Sequence, residues 1–360
     1  MDSWNVHDLP TAATVESGPV SADQESSGVN AAAPRRLDRP PVATDRATFA
    51  PDFGCRFAIF GDAEEEFDWT QPVRRDARAT TAMLALPAAN RRFIDRGIVP
   101  TYLVDYPVVE TPASAEAVRA MIEAGECEVG TQLHPWVNPP YDEVVSQPNS
   151  FVGNLPRALE RAKLHALTTQ IEVATGVRPV IYRAGRYGIG PNTAGLLAEA
   201  GYRLDVSVRA LFDYSDQTGP NFAAHPVWPW WVSPTMLELP LTAGYTGLLN
   251  RHSQLHRHVT LRGPLARLRL LNRVALTPEG MPRAEALAVI DRLLEEGITL
   301  FSLSFHTPSV VPGHTPYVRD QADLKTFWSW WDAVFDRFDR HGVKPARASE
   351  IIAAAVPRTA

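Results

Sequence analysis

From position 55 onward, short apolar runs alternate with longer segments in which apolar residues recur at helical spacing. The runs predict strands at 56–61, 99–104, 128–133, 180–182, 204–208, 237–241 and 298–305. The intervening segments predict helices over about 74–96, 113–124, 154–175, 192–200, 282–296 and 321–341. Glycines 97, 125, 176, 201 and 297 stand just past helix ends, where a left-handed residue closes the last turn. Pro191 and Pro282 stand near first turns. Short buried strands separated by helices imply a parallel sheet, either curled into a β/α barrel or wound open. No G-x-G-x-x-G follows the first strand, which counts against a dinucleotide-binding open sheet. Polar residues recur where strands end: Asp62, Asp105, His134, Arg183, Asp205 and His306. In a β/α barrel the carboxyl ends of the strands carry the active site, so a barrel with one functional rim is the expected architecture.

Residues 1–48 break this pattern. They are rich in Ala, Ser, Pro and Asp, and Trp4 is the only aromatic before Phe49. So little apolar surface does not offset the entropy of ordering. The expected organisation is a flexible N-terminal tail over 1–48, with Trp4 as its one docking handle, and a folded domain over 49–360. The 360-residue chain is 45% hydrophobic and 21% charged, which excludes a wholly disordered protein. A net charge of -6 argues against general affinity for nucleic acid. With only Cys55 and Cys127 there is neither a disulfide framework nor a four-cysteine zinc site. No run approaches the roughly 20 apolar residues that span a bilayer. The opening residues lack a basic flank and an apolar core, so a cytoplasmic location is expected.

Several clusters carry candidate chemistry. Asp62, Glu64, Glu65, Glu66 and Asp68 crowd one strand end and its loop, as a general base with metal ligands or as a solvated acidic loop. His134 ends a strand and is followed by Pro135, Trp136 and Asn138; it is a ligand or a hydrogen-bonded structural residue. Arg183 precedes Gly185, Arg186 and Tyr187, and would orient a carboxylate or form a surface pair. His306 ends an apolar strand as a candidate general acid, with Asp205 expected to set its tautomer. Trp228, Trp230 and Trp231 form either a sugar-stacking platform or core. The arginine-rich stretch 251–273 suits an acidic ligand or a solvated helix face. Ser304 and Ser309 lack a nucleophile-elbow context.

In order, these motifs resemble the polysaccharide deacetylase family, the NodB-homology group of carbohydrate esterases, over about residues 55–350. The spellings Asp-Ala-Glu-Glu-Glu-Phe-Asp-Trp, Gln-Leu-His-Pro-Trp, Arg-Ala-Gly-Arg-Tyr-Gly and Phe-His-Thr-Pro-Ser look like a WalW-like bacterial subgroup. The resemblance implies a distorted (β/α)7 barrel, and a hydrolase of non-peptide C–N bonds, an N- or O-deacetylase acting on a saccharide or polysaccharide precursor or on an acetylated small molecule. It implies Asp62 as base, Arg183 as its orienting partner, His306 as acid and Asp205 as the residue tuning that acid. Trp136, Arg186, Tyr187 and Trp231 would contact substrate. A divalent metal, zinc first, would sit among Asp62, Glu64, His134 and Asn138. The sequence departs from the family at two metal positions, where Ala63 and Asn138 stand for an Asp and a His. Those departures keep open a catalytically silent carbohydrate-binding barrel, and the family's allantoinase-like members keep open a small-molecule amidohydrolase.

Overall fold

The computed structural model describes residues 33–250 and 264–357, apart from 266 and 269. In chain order the elements are β1 (Arg56–Ala63), α1 (Leu86–Ile94), β2 (Thr101–Val104), α2 (Tyr106–Glu110), α3 (Pro112–Glu123), β3 (Glu128–Leu133), α4 (Arg157–Thr175), β4 (Ile181–Ala184) and α5 (Thr193–Glu199). There follow β5 (Leu204–Asp205), β6 (Trp230–Ser233), β7 (Met236–Glu238), β8 (Ala243–Thr246), β9 (Asn272–Ala275), α6 (Arg283–Glu295), β10 (Leu300–His306), α7 (Gln321–Arg340), β11 (Lys344–Pro345) and α8 (Ala348–Ala354).

The seven predicted strands become a parallel series in the order β10-β1-β2-β3-β4-β5-β7. β6 adds antiparallel to β7, and β11 pairs with the start of β1. The sheet is curled, and irregular backbone rather than a ladder bridges its two ends. Leu239 and Leu241 donate to Asp205 and Val208, the next residue, Thr242, donates to Ser302 at 3.1 Å, and Ser304 donates to Leu276. β8 and β9 form a separate antiparallel pair beside this seam.

Two apolar layers follow from strand alternation. Ala58, Phe60, Leu103, Ile181, Leu204, Leu237 and Leu300 fill the concave side of the sheet. Phe57, Ile59, Tyr102, Val129, Tyr182 and Phe301 pack outward with helical residues, including Trp331, Phe335 and Phe338 of α7. Asp62 lies two residues beyond Phe60, so it continues the inner face above the apolar floor.

Two sequence expectations need correction here. The helix predicted from residue 74 starts at Leu86, because the acidic loop folds back: Glu66 N–H donates to Ala79 at 2.7 Å, and the Glu66 carboxylate accepts from Ala82 N–H at 2.6 Å. Packed structure also begins before residue 49, inside the stretch expected as tail. Arg35 N–H donates to Val232, Ala47 N–H to Pro229, and Leu37 is fully buried. Residues 33–48 are thus packed structure, and 1–32, with Trp4, lie outside the described residues. No described helix is long and apolar enough to cross a membrane.

Candidate active site

The register of β1 against β10 sets Asp62 beside His306. β4, separated from β1 by β2 and β3, brings Arg183 across the curled sheet to the same point. Arg183 Nη1 donates to Asp62 Oδ1 at 2.5 Å and to Ser304 Oγ at 2.6 Å, while its Nε donates to Val206 O at 3.1 Å. Both partners of this ion pair are buried. The second Asp62 oxygen faces His306 Nε2 at 3.8 Å.

Glu279 holds the other side of His306. Its Oε2 meets Nδ1 at 2.6 Å, and its Oε1 accepts from the His306 backbone N–H and from Ser309 Oγ. Burial alone would lower the imidazole's proton affinity. The charges of Glu279, Glu64 and Asp62 outweigh it and push the pKa up to about 10. The structure gives Asp205 a different place from the expected one. It pairs in register with Tyr182 and Glu238, on the face opposite Leu204 and Leu237, and accepts from Ser207 Oγ at 2.5 Å. Glu279, not Asp205, sets the His306 tautomer. Burial raises the proton affinity of Asp205, and the adjoining Glu238 carboxyl is raised too.

His134 follows β3 and stacks on Trp136, 4.4 Å between ring centres. Its Nδ1 meets Glu65 Oε2 at 2.7 Å, and Trp136 Nε1 donates to the other Glu65 oxygen at 2.7 Å. Asp105 accepts from Glu65 N–H at 2.8 Å and from Val108 N–H at 2.9 Å, capping α2. Burial pushes Glu65 up to about 8; it raises Asp105 well above the carboxylate range, helped by the Glu65 charge. The two carboxyls therefore retain a proton between them. Burial lowers the His134 pKa, which keeps the ring neutral.

The donor atoms of Glu65, Asp105 and His134 lie within 4.8 Å of one another, so this buried triad could hold a metal ion. On the cavity side of the same ring, Nε2 lies 3.6 Å from Glu64 Oε2, and Gln132 Nε2 sits between them at 3.3 and 2.9 Å. Two acceptors thus share an amide donor. Glu64 Oε1 and Gln132 Oε1 are buried without a hydrogen-bond partner. That donor set suits a divalent cation. Burial pushes Glu64 up to about 7.

One expected contributor does not reach this point. Asn138 is buried with its amide donating to Pro139 and Lys163 carbonyls, and it does not line the cavity. Ala63, the other departure, packs in the outward apolar layer beside Val104.

The cavity has a volume of about 530 Å³ and is lined by Asp62, Glu64, His134, Arg183, Glu279 and His306, with aromatic walls from Trp69, Trp136, Tyr187 and Tyr317. The acidic loop supplies Trp69, edge-on to His306 at 4.8 Å. Trp136, Arg186 and Tyr187 line the cavity, whereas Trp231 packs in the inner apolar floor beneath it. Glu65, Glu279, Gln132, Trp69 and Arg209 were not among the expected site residues. The acid run does not separate Glu65 from Glu64, and Thr277, Pro278 and Glu279 carry local signals of a helix start rather than of a site. The arginine-rich stretch lies largely outside the described residues; its Arg273 on β9 donates to Leu211 O.

No family model matches the chain, and no curated protein matches it. Among solved structures, it is similar to one described as a candidate polysaccharide deacetylase from Mycobacterium smegmatis, at 19% identity and a TM-score of 0.51, covering 89% of this chain and 98% of that one. It is also similar to the chitin deacetylase of the fungal pathogen Colletotrichum lindemuthianum (12% identity, 87% and 91% coverage, TM-score 0.42) and to an allantoinase (15% identity, 83% and 88% coverage, TM-score 0.45). The first likeness shows a deacetylase-type fold.

Proposed function

We propose that the chain is a hydrolase that removes an acetyl group from nitrogen or oxygen of a saccharide or related small molecule. One observation carries this reading: a buried carboxylate, fixed by an arginine, faces an imidazole across 3.8 Å in a cavity large enough for a sugar ring.

Asp62 Oδ2 accepts a proton from water as the water oxygen bonds to the acetyl carbon. Arg183 fixes the rotamer of Asp62 and keeps its charge aimed into the cavity. His306, protonated through neutral pH with Nδ1–H on Glu279, presents Nε2–H to the leaving atom. The carbon–nitrogen or carbon–oxygen bond breaks as that proton transfers, giving an amine or alcohol and acetate. A divalent ion, zinc being the first candidate, would be held by His134, either with Glu65 and Asp105 or through Nε2 with Glu64. In the second arrangement Glu65 fixes the tautomer, as outer carboxylates do for metal-bound histidines. Such an ion would polarise the acetyl carbonyl.

The test is acetate release from acetylated amino sugars with added zinc, cobalt or manganese, comparing the wild type with Asp62→Asn. Release that falls at least a hundredfold in the variant supports the mechanism; equal release removes it. Saccharide binding without any product would move the reading to a carbohydrate-binding barrel.

A further inference from the structure

All the carboxylates of the cavity have partners: Asp62 has Arg183, Glu279 has His306 and Ser309, and Glu64 has Gln132. Two cavity arginines, among the described residues, have only neutral partners. Arg209 donates from Nη1 to the Tyr214 hydroxyl at 3.1 Å, lies over the Phe212 ring at 4.0 Å and faces the Tyr187 ring at 5.5 Å. Its Nε is buried without a partner. Arg186 donates to Ser150 Oγ and to Gln217 Oε1, and lies over the Phe151 ring at 4.4 Å. Both line the cavity, and among the described residues neither has a carboxylate within 4.0 Å.

A guanidinium half-withdrawn from water with only neutral partners is costly unless an anion arrives. The backbone adds a second cost at this place. Arg186 and Tyr187 take left-handed φ of 56° and 58°, and Leu211 and Thr218 do the same at 70° and 66° in the segments packed against them. Non-glycine residues hold that conformation at a cost, and such strain concentrates where a site needs its side chains aimed. Here it turns Arg186 and Tyr187 into the cavity.

We propose that Arg209 and Arg186 form a subsite for a compact oxyanion, a carboxylate or a phosphate monoester, carried by the substrate. Planar guanidinium forks match both groups in a bidentate manner. The cavity then has two poles. The carboxylates Asp62, Glu64 and Glu279 surround the acetyl group to be cleaved, and the arginines hold a negative group elsewhere on the same molecule. A neutral acetylated sugar would leave the second pole unfilled. This inference names the substrate class for the proposed deacetylation and rests on that reading only for the acetyl end.

The test compares three ligands that share one ring: N-acetylglucosamine, its 6-phosphate and its C6-oxidised uronic acid. Binding is measured by calorimetry, separately from acetate release. In the wild type, at least one anion binds about tenfold or more tightly than the neutral sugar, and the stronger of the two identifies the group. The preference shrinks as salt rises from about 0.05 to 0.5 M, because the added ions screen the attraction. Arg209→Gln and Arg186→Gln bring the anion-to-neutral ratio towards one, while Arg209→Lys retains part of it. Equal binding of all three ligands by the wild type, or no binding of either anion, overturns the subsite even if acetate is released. Anion preference without acetate release from any of them leaves the subsite standing and removes deacetylation.

Discussion

Replacing Glu279 by Gln isolates the electrostatic role of one carboxylate at nearly constant shape. Glu279 lies 2.6 Å from His306 Nδ1 and leads the charges that carry its pKa from 6.5 to about 10. That displacement corresponds to about 5 kcal/mol of preference for imidazolium. Glu64 and Asp62 supply the remainder, so assigning Glu279 about half predicts a fall of about 2 pH units, or ~2.5 kcal/mol. If His306 is the acid, the alkaline limb of kcat against pH moves from near 10 to roughly 8, with about a tenfold loss at pH 9 and little loss at pH 6. Titration of the His306 ring by NMR reads the same change without turnover. The sign for stability follows from the raised native pKa. The imidazolium's contribution is complete below about pH 6.5 and disappears as pH climbs towards 10, so the wild type loses stability over that window and the variant much less. An unmoved alkaline limb, or an equal activity loss at every pH, would refute the assignment.

Three further outcomes follow from buried contacts. Arg183→Met leaves the Asp62 carboxylate buried without its cation and should cost about 3–5 kcal/mol in denaturant unfolding, with activity abolished; Arg183→Lys should not restore activity, because Asp62, Ser304 and Val206 use two separate nitrogens of the fork. The Lys163 ammonium donates to Pro135, Asn138 and Pro140 carbonyls at 2.6–2.9 Å and pairs with Glu143 at 2.8 Å, so Lys163→Met should lower stability by about 3 kcal/mol or more and loosen the loop that carries Trp136. At Gly185 an added Cβ would stand 2.2 Å from His134 Cδ2, so Gly185→Ala should displace that ring and reduce bound metal on elemental analysis, whereas Gly195→Ala, with nothing within 4 Å, should not.

The parallel series was legible because each strand is buried on both faces and bounded by helix-closing glycines. β6, β8 and β9 were not, since short antiparallel strands beside the seam carry no period long enough to read. Asp205 shows the same limit at one residue. Its strand spans only Leu204–Asp205, and in so short a run the sequence does not say which side chain faces inward. Glu279 was hidden for a different reason. Thr277, Pro278 and Glu279 carry local signals of a helix start, yet Glu279 bonds a residue 27 positions away. That contact forms where Leu276, just past β9, accepts from Ser304 N–H of β10 at 3.2 Å.

The acids of this site differ in role because each meets a different neighbour, not because their side chains differ. Asp62 faces a guanidinium fixed by three hydrogen bonds, which holds its charge in one direction. Glu65 meets a second buried carboxyl and a neutral imidazole, so its place in the fold favours a retained proton and a fixed tautomer. Glu279 meets an imidazole that already faces two other carboxylates, and the sum pushes that ring's pKa up to about 10. Pairs of titratable groups pushed apart in this way define which member gives and which takes a proton. Each pair here joins segments separated in sequence: β1 with β4, the β1 loop with the end of β3, and the loop after β9 with the end of β10. The curl of the sheet, by setting those ends around one cavity, therefore gives each acid its neighbour. A change that flattened the sheet would disable the site with all of these side chains still in place.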